Sequence, residues 1–351
     1  MSPLPKSKYT VENTKDFVSN IQKMKVPNGF KLISFDVVSL FTNVPLNATI
    51  DIILRKIYVE KLVKTKIKRK NMKELLLLCT KEVPFSFNGE IYMQIDGVMM
   101  GSPLGPLFAN IFMCELENHV IPRLAHKLKN WVRYVDDTFA LVREGEEKYV
   151  QEELNSFHQN IQFTYELEDH GKISFLDVLV TKTDTNGSLE TSVFRKTTNT
   201  DIYMNWKSHA PQAWKIATLK SLIKRAVLIS STDSALEREL EHLKKAFCEL
   251  NDYPSMLVDK IILDERQSAE SQTIQDPEES EIEKTEENIQ VALNLPYAGD
   301  KGEEIVKKMQ KFMKKAVNTE SKKLQLRTTY KSTRLSSRFN IKDKTKPRTF
   351  A

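Results

Sequence analysis

The sequence predicts an α+β protein, in which helices and strands alternate over the first 200 residues. Two Asn-Gly pairs, at 88–89 and 186–187, each separate strand-like runs, and such pairs are strong signals for β-hairpins. From Trp214 to Asn251 the hydrophobic spacing changes to a helical period. With 351 residues and 40% hydrophobic content, the chain can bury a core in one multi-part domain or two.

The N-terminal region is predicted to contain an amphipathic helix followed by a strand with one acid inside it. The helix is expected over residues 11–24. Residues 31–41, KLISFDVVSLF, are predicted as a buried strand, and Asp36 is the only acid in it. Because burial of an unpartnered carboxylate is costly, Asp36 is a candidate functional residue. Pro45 and Asn47 then open a predicted helix.

Two segments between 60 and 98 are predicted to form a small insert that projects from the core. The first carries seven Lys or Arg residues between the end acids Glu60 and Glu74. It is either an exposed helical face or a nucleic-acid contact. Residues 83–98 show strand-like alternation around the Asn-Gly pair at 88–89, which indicates a hairpin.

The segment 101–106, GSPLGP, has two glycines and two prolines in six residues and precedes a helical pattern. One interpretation is structural: Ser102 caps the helix and Pro103 is its first residue. The other is functional, because a segment with so few side chains lets the backbone approach a bound ligand closely.

Residues 131–142, WVRYVDDTFALV, place the adjacent acids Asp136 and Asp137 between two apolar runs. The alternation on both sides predicts a hairpin with the acids at its tip. Two neighbouring carboxylates repel each other and resist burial, so they need a compensating charge. A divalent metal ion would supply it, and a solvated turn is the alternative.

Further elements complete the predicted α+β pattern. A helix is expected over 146–159, a strand over 162–168, and a second hairpin from 174–183 and 188–196. Arg195 and Lys196 lie near the end of that hairpin.

The C-terminal third shows a strong separation of charge. Residues 264–288 contain ten acids and two basic residues, so we expect a linker without stable structure there. Residues 301–351 contain sixteen Lys or Arg and four acids, with an amphipathic helix predicted over 303–317. Concentrated positive charge suits a polyanion such as nucleic acid.

The sequence favours a soluble, intracellular protein. Its three cysteines are far apart, so neither a disulfide framework nor a zinc site is expected. No run of 18 apolar residues and no signal-peptide core are present, so no membrane partner is expected.

The order of three motifs resembles the palm of reverse transcriptases. FDVVSLF resembles motif A, MGSPLGP resembles motif B and YVDD resembles motif C. The longer strings FDVVSLFTNVP, GSPLGPLFANIFM, ISFLDVLV and SLETSVFRKTTNTD are similar to Penelope-like retroelement reverse transcriptases. The similarity runs from about residue 7 to about residue 346 and includes TYKSTRLSSRFNIKDK. In that family a GIY-YIG endonuclease domain follows, and we expect it to be absent because this sequence contains no such motif.

The resemblance implies a right-hand polymerase with a palm, partial fingers and a mainly helical thumb. It suggests a remnant of the fingers over 1–30 and a palm over 31–200, with a fingers insert near 60–98. A thumb-like region over 201–263 would follow. The acidic linker would then occupy 264–290, and a basic extension would occupy 291–351.

The implied activity is RNA-directed DNA synthesis. Deoxynucleoside triphosphates would be added to the 3′-hydroxyl of a DNA primer on an RNA template, with access to the nucleus. This chemistry uses two Mg²⁺ ions roughly 3.5–4 Å apart, with Mn²⁺ as a possible substitute, and hard oxygen ligands. The resemblance assigns Asp36 and Asp136 to both metals, the carbonyl of Val37 to the nucleotide-side metal, and Asp137 to an outer position.

The resemblance also assigns nucleotide contacts. Phe41 matches the position of an aromatic that excludes a ribose 2′-hydroxyl, and a core position is its alternative. The backbone of Gly101, Ser102 and Pro103 would run beside the incoming nucleotide and template base. Met100 departs from the family pattern, because many reverse transcriptases have Gln there.

Four further residues are candidate primer or template contacts. Tyr134 and Val135 would support the primer end. Arg195 and Lys196 would contact phosphates, which positions nucleic acid without reading its sequence. Solvated charges at a strand end are the alternative for this basic pair.

Two other functions remain open at this stage. The first is a catalytically inactive retroelement remnant that only binds nucleic acid, since only 35 residues precede Asp36. The second is a template-independent nucleotidyltransferase or a DNA-templated polymerase that uses the same metals.

Overall fold

The computed structural model describes residues 7–81, 83–183, 187–273, 289–296, 299, 304–309, 311–312 and 324–331. Their contacts divide the chain into two compact units. The first unit contains the described residues up to Thr197 together with Leu228–Leu236, and the second contains the remainder. Helices and strands alternate in the first unit, which confirms the predicted α+β class.

The first unit is built on a four-stranded antiparallel sheet. Its strands are β1 (Phe30–Val37), β4 (Leu128–Tyr134), β5 (Asp137–Arg143) and β6 (Phe163–Leu167), in the spatial order β4-β5-β1-β6. Strand β1 is central and pairs on both sides, so its alternate side chains are buried on opposite faces of the sheet.

Two hydrophobic cores cover the two faces of this sheet. Ile33 and Phe35 of β1 belong to one core, and Leu32 belongs to the other. The first core includes residues of α3 (Leu46–Tyr58), α5 (Gly105–Val120) and α6 (Glu147–Asn155). The second includes residues of α1 (Thr14–Ile21), β7 (Lys172–Phe175), β8 (Val178–Lys182) and β9 (Leu189–Val193). The sheet is therefore buried on both sides.

The predicted insert contains a helix and a hairpin. Helix α4 spans Arg69–Thr80, and strands β2 (Pro84–Phe87) and β3 (Glu90–Met93) pair across the Asn-Gly turn. Every residue of both strands is exposed, and Glu82 lies outside the described residues. The hairpin prediction is confirmed.

Three predicted boundaries in the first unit are wrong. The strand predicted over 31–41 ends at Val37, because Ser39 adopts a left-handed conformation (φ 48°) and starts helix α2 (Leu40–Asn43). Residues 174–183 do not form one strand, because a turn at 176–177 separates the end of β7 from β8. Asn186 lies outside the described residues, so the turn predicted there is not described in full.

The third wrong boundary is the start of α5. The helix is capped at Leu104, and Ser102 is not its N-cap. Ser102 instead belongs to a preceding turn, in which its carbonyl accepts a hydrogen bond from the amide of Gly105 at 3.0 Å. Its hydroxyl accepts from the amide of Leu104 at 3.3 Å.

The second unit is mainly helical. Helices α7 (Gln212–Ile229) and α8 (Asp233–Lys245) each extend across the boundary of the units in sequence, and α9 (Ser255–Thr273) follows a short π-helical segment, Ala246–Leu250. Strands β10 (Ile289–Pro296) and β11 (Leu324–Lys331) pair in parallel.

The acidic linker was predicted to begin at residue 264, but α9 continues through Thr273. Ion pairs contribute to this extension, since Glu265 is almost fully buried and contacts Lys220 at 2.8 Å. Residues 274–288 lie outside the described residues, as does most of the basic extension. Helical structure is present at 304–309 and 311–312, within the helix predicted over 303–317. No helix in the described ranges is long and apolar enough to cross a membrane.

Candidate active site

The hairpin β4–β5 carries the acidic pair. Tyr134 pairs with Asp137, so Val135 and Asp136 form a two-residue turn at the tip. Val135 has φ 55°, which is unusual for a β-branched residue and is maintained only where surrounding contacts hold the backbone. Tyr134 and Val135 are both exposed, and Asp136 and Asp137 are half-buried.

Strand β1 brings Asp36 beside this tip. The last antiparallel pair between β1 and β5 is Phe35 with Thr138, so Asp36 and Asp137 are the next residues on the two strands. On the other side Asp36 pairs with Thr164 of β6. Asp36 is exposed rather than buried, because it lies near the open end of the strand. The free-energy cost of burying the Asp36 carboxylate, which made this residue a candidate in the sequence, is therefore smaller than expected.

Asp36 and Asp137 line one cavity of about 390 Å³ within the first unit. Polar groups make up most of the remaining lining, and the cavity is open to solvent on one side. The other lining residues are Ser34, Thr164, Tyr165, Glu166, Ser174, Phe175, Leu176, Phe194 and Lys196. A polar cavity of this kind suits a charged ligand better than an apolar one.

The carboxylates at the site perturb one another. Although Asp36 is exposed, the protein atoms around its carboxylate displace part of its hydration and raise its pKa, and the neighbouring charge of Asp136 raises it further. Partial burial likewise raises the pKa of Asp137, with added repulsion from Asp136 and Asp36 and an opposing attraction to Lys196. The site thus concentrates negative charge that a cation would stabilise.

The chemistry of these donors fits a divalent metal, since carboxylate oxygens are hard ligands. Among the described residues, no group of three His, Cys, Asp or Glu side chains is arranged so that it could hold a metal ion.

The segment before α5 packs against the end of the motif that contains Asp36. The amide of Val98 donates a hydrogen bond to the carbonyl of Phe41 at 2.7 Å, and the Phe41 ring reaches Gly105. Phe41 is half-buried and also packs against the first core. Gly101 has φ 92° and open space around it. Neither Phe41 nor residues 101–103 line the 390 Å³ cavity.

A family model for "Reverse transcriptase (RNA-dependent DNA polymerase)" matches residues 5–183, about half of the chain. This match covers the whole sheet, the acidic hairpin and the segment 101–106. The chain belongs to the reverse transcriptase family. The mixed sheet and helices of the first unit agree with the right-hand polymerase fold of this family.

A second family model, "Animal helix-turn-helix domain", matches residues 202–263. No curated protein matches the chain significantly. Among solved structures, the chain is similar to telomerase from Candida albicans with a telomeric RNA fragment (TM-score 0.46, 13% identity, 75% of this chain, 44% of that chain).

Apo telomerase from Candida tropicalis gives a TM-score of 0.44 at 14% identity over 76% of this chain and 46% of that chain. The RNA-dependent RNA polymerase of a human picobirnavirus gives a TM-score of 0.44 at 12% identity, over 73% of this chain and 49% of that chain. The chain spans less than half the length of each of these structures.

The two basic residues that follow β9, Arg195 and Lys196, lie in different environments. Lys196 is exposed and lines the cavity beside Asp137. Arg195 is half-buried and is not part of the cavity lining. Only Lys196 is therefore placed to contact a ligand in the cavity directly.

Sequence reasoning missed the contribution of β6 to the candidate site. Thr164, Tyr165 and Glu166 line the cavity, and Glu166 adds a fourth carboxylate whose charge also raises the pKa of Asp36. The strand itself was predicted over 162–168. The missing information was its register beside β1, which no local pattern in the sequence specifies.

Neutralising Asp137 is expected to stabilise the metal-free protein at neutral pH. The raised pKa of Asp137 means that the folded chain binds the proton on this carboxyl more tightly than the unfolded chain does. Protonation of Asp137 therefore favours folding most at a pH below 3.8, the ordinary pKa of an aspartate. This contribution to stability is lost as the pH rises through the pKa that Asp137 has in the folded protein. Asp137→Asn should therefore melt at a higher temperature than wild type at pH ~7 in EDTA. The difference in melting temperature should disappear at a pH below 3.8, the ordinary aspartate pKa.

Thermal melting across this pH range measures the effect. Asp169→Asn is the matched control, because the Asp169 side chain is 92% exposed. A pH-independent difference for Asp137→Asn would contradict the electrostatic explanation.

Gly97 is expected to tolerate no side chain. It has φ 77°, and an added Cβ would collide with the carbonyl of Thr42 and lie 2.9 Å from the carbonyl oxygen of Phe41. We expect Gly97→Ala to lower the free energy of unfolding by about 1–3 kcal/mol more than Gly89→Ala does. Gly89 has a similar φ of 84° with nothing within 4 Å, so the comparison isolates the collision from the backbone strain. Urea denaturation of the two variants tests this, and equal losses would refute the close packing.

Proposed function

We propose that this reverse transcriptase palm catalyses RNA-directed DNA synthesis in a Penelope-like retroelement. The observation that supports this function most strongly is that Asp36 and Asp137 line one polar cavity, with Asp136 near enough for its charge to act on both. The substrates would be an RNA template, a DNA primer and deoxynucleoside triphosphates. The enzyme would act in the nucleus, where the target DNA of a retroelement lies. The motif strings quoted above support the Penelope-like assignment.

The three aspartates would hold two Mg²⁺ ions, or Mn²⁺ in their place. Bound at this position, such ions would activate the primer hydroxyl and stabilise the charge of the leaving pyrophosphate. Asp36 and Asp136 would bridge the two ions, the carbonyl of Val37 would contact the nucleotide-side ion, and Asp137 would occupy an outer position. The mutual repulsion of these carboxylates supports a role in cation binding.

Residues around the cavity would position the substrates. Tyr134 and Val135 are exposed beside the acids, where a primer end could rest on them. Lys196 borders the cavity and would contact a phosphate, and Arg195 would support the strand end that carries it. The backbone of residues 101–103 would flank the incoming nucleotide, since this segment offers few side chains.

The described elements support an assignment of the remaining regions. The hairpin β2–β3 and helix α4 would form partial fingers. Helix α1, which lies within the residues 1–30 predicted as a remnant of the fingers, packs into the second core beside the sheet. The helices over 201–263 would form a thumb that contacts the product duplex by shape. The match to a helix-turn-helix model over the same residues is compatible with a role in nucleic-acid binding.

Phe41 is expected to discriminate against ribonucleotides. Its ring is half-buried between the first core and Gly105, so removal of the ring would open space without deleting a core residue entirely. We expect Phe41→Ala to reduce the preference for deoxynucleotides by about tenfold or more, measured as the ratio of kcat/KM values. If Phe41→Ala selects deoxynucleotides over ribonucleotides as strongly as wild type does, Phe41 has only a structural role.

Primer extension tests the proposed function directly. Wild-type chain should extend a DNA primer on an RNA template with Mg²⁺, and Asp136→Ala should not, although both bind the primer–template equally. If wild type and Asp136→Ala incorporate equally little, the inactive-remnant alternative is correct. A strong preference for a DNA template, or extension without a template, would favour the other polymerase class.

A further inference from the structure

A buried ion pair lies directly behind the acidic turn. The side chains of Arg133 and Glu117 are 1% and 0% exposed. Nε of Arg133 donates to Oε1 of Glu117 at 2.6 Å, and Nη2 donates to Oε2 at 3.2 Å. The indole of Trp131 donates to the same Oε1 at 3.1 Å. Both oxygens of this buried carboxylate are therefore satisfied.

The third nitrogen of the Arg133 guanidinium, Nη1, contacts the turn itself. Nη1 of Arg133 donates to the carbonyl of Val135 at 2.9 Å. Val135 is the residue with φ 55°, and its carbonyl precedes Asp136 directly. This bond therefore holds the peptide whose orientation determines where the Asp136 carboxylate can point.

The Arg133 guanidinium is itself held from several sides. Its Nη2 also donates to Oδ1 of Asn110 at 3.1 Å and approaches the hydroxyl of Thr10 at 3.4 Å. The backbone of Arg133 pairs with the N-terminal segment, since its amide donates to the carbonyl of Tyr9 at 2.8 Å. The side chain is thus fixed in one orientation by groups outside its own strand.

Two side-chain partners of Arg133 belong to α5, the helix that begins within the segment 101–106. Asn110 and Glu117 both lie on this helix. A buried ion pair is often no more stabilising than well-packed apolar residues of similar size, so stability alone does not account for it. A function in orientation does, because only the forked guanidinium reaches both Glu117 and the turn.

We propose that Arg133, oriented by Glu117, is a positioning residue that sets the Val135–Asp136 turn for divalent-metal binding. The inference rests on the proposed function, because it assumes that the turn aspartates bind catalytic metals. Arg133 itself touches neither metal nor substrate in this arrangement. It acts through the backbone of Val135, on which the directions of Asp136 and Asp137 depend.

The test replaces the ion pair by apolar residues. The double variant Arg133→Met/Glu117→Leu leaves no unpaired buried charge, so it should fold. We expect its half-saturating Mn²⁺ concentration, measured by electron paramagnetic resonance, to rise about 10- to 100-fold, with a similar loss in kcat for primer extension. The KM for the template–primer should stay unchanged, which a general loss of structure would not produce.

The matched control is Arg55→Met/Glu115→Leu. This pair contacts at 2.5 Å, and Glu115 lies on α5 as Glu117 does, but no hydrogen bond connects it to the turn among the described residues. Metal affinity and kcat should match wild type in this variant. If the control loses metal binding to the same extent, α5 packing rather than the turn contact is responsible, and the proposal fails.

A milder variant decides the case in which the double variant does not fold. Arg133→Lys keeps the positive charge beside Glu117 but lacks the fork that reaches the Val135 carbonyl. Weakened Mn²⁺ binding in this folded variant would support the proposal, and wild-type binding would overturn it. Metal binding without primer extension in wild type would refute only the proposed function, because the metal titration does not depend on polymerisation.

Discussion

Asp36→Asn is expected to lower kcat for primer extension by at least about 10³-fold, because a bridging carboxylate is lost from both proposed metals. Metal stabilisation of developing charge is worth several kcal/mol, and each 1.36 kcal/mol corresponds to a factor of ten in rate. Asparagine has the same size and keeps one oxygen, so β1 should retain its pairing with β5 and β6.

Single-turnover extension with saturating template–primer measures this effect on the chemical step. Asp169→Asn makes the same chemical change at a side chain that is 92% exposed in the turn before β7, and it should retain full activity. Duplex binding by Asp36→Asn should equal that of wild type. If Asp36→Asn retained more than about a tenth of the wild-type rate, Asp36 would not be a bridging ligand.

Phe139→Ala is expected to lower the free energy of unfolding by about 3–5 kcal/mol. The Phe139 side chain is fully buried in the second core, with its ring centroid 5.5 Å from that of Phe17 and 6.1 Å from that of Phe175. Its removal leaves a cavity where α1, β5 and β7 meet. Since Phe139 is two residues from Asp137, the loss would also loosen the strand that carries the acids.

Urea denaturation of the full chain measures this change as a lower midpoint for the transition of the first unit. Phe87→Ala is the matched control, because the Phe87 side chain is 63% exposed on the β2–β3 hairpin and should change the stability by no more than about 0.5 kcal/mol. Similar midpoints for both variants would contradict the packing of the second core.

Local patterns were sufficient for most elements of the first unit. The alternation around YVDD predicted the hairpin β4–β5, and the Asn-Gly pair predicted β2–β3, because both are determined by residues close together in the chain. Boundaries were less predictable where a single backbone conformation ends an element. Ser39, in the left-handed region, ends β1 four residues before the apolar pattern does.

The acidic linker predicted from residue 264 shows a second kind of limit. Acidic composition indicated a linker from residue 264, but α9 continues to Thr273. Glu265 is stabilised there by Lys220, which is 45 residues away in sequence. Composition cannot register such a pairing, because it depends on which helix faces meet.

The sequence by itself determined the chemistry available to this reverse transcriptase: the three aspartates, the glycine- and proline-rich segment and the hairpin tip are all visible as local strings. Tertiary structure alone decided which groups share the site. The register of β6 beside β1 brought Glu166 to the cavity with Asp36 and Asp137, and the segment after β9 brought Lys196 there. The packing of α5 on the sheet buried Arg133 against Glu117, which is 16 residues earlier on another element. These outcomes depend on strand pairing and helix packing between distant segments, and one residue of shift in register would reverse the face to which each side chain points.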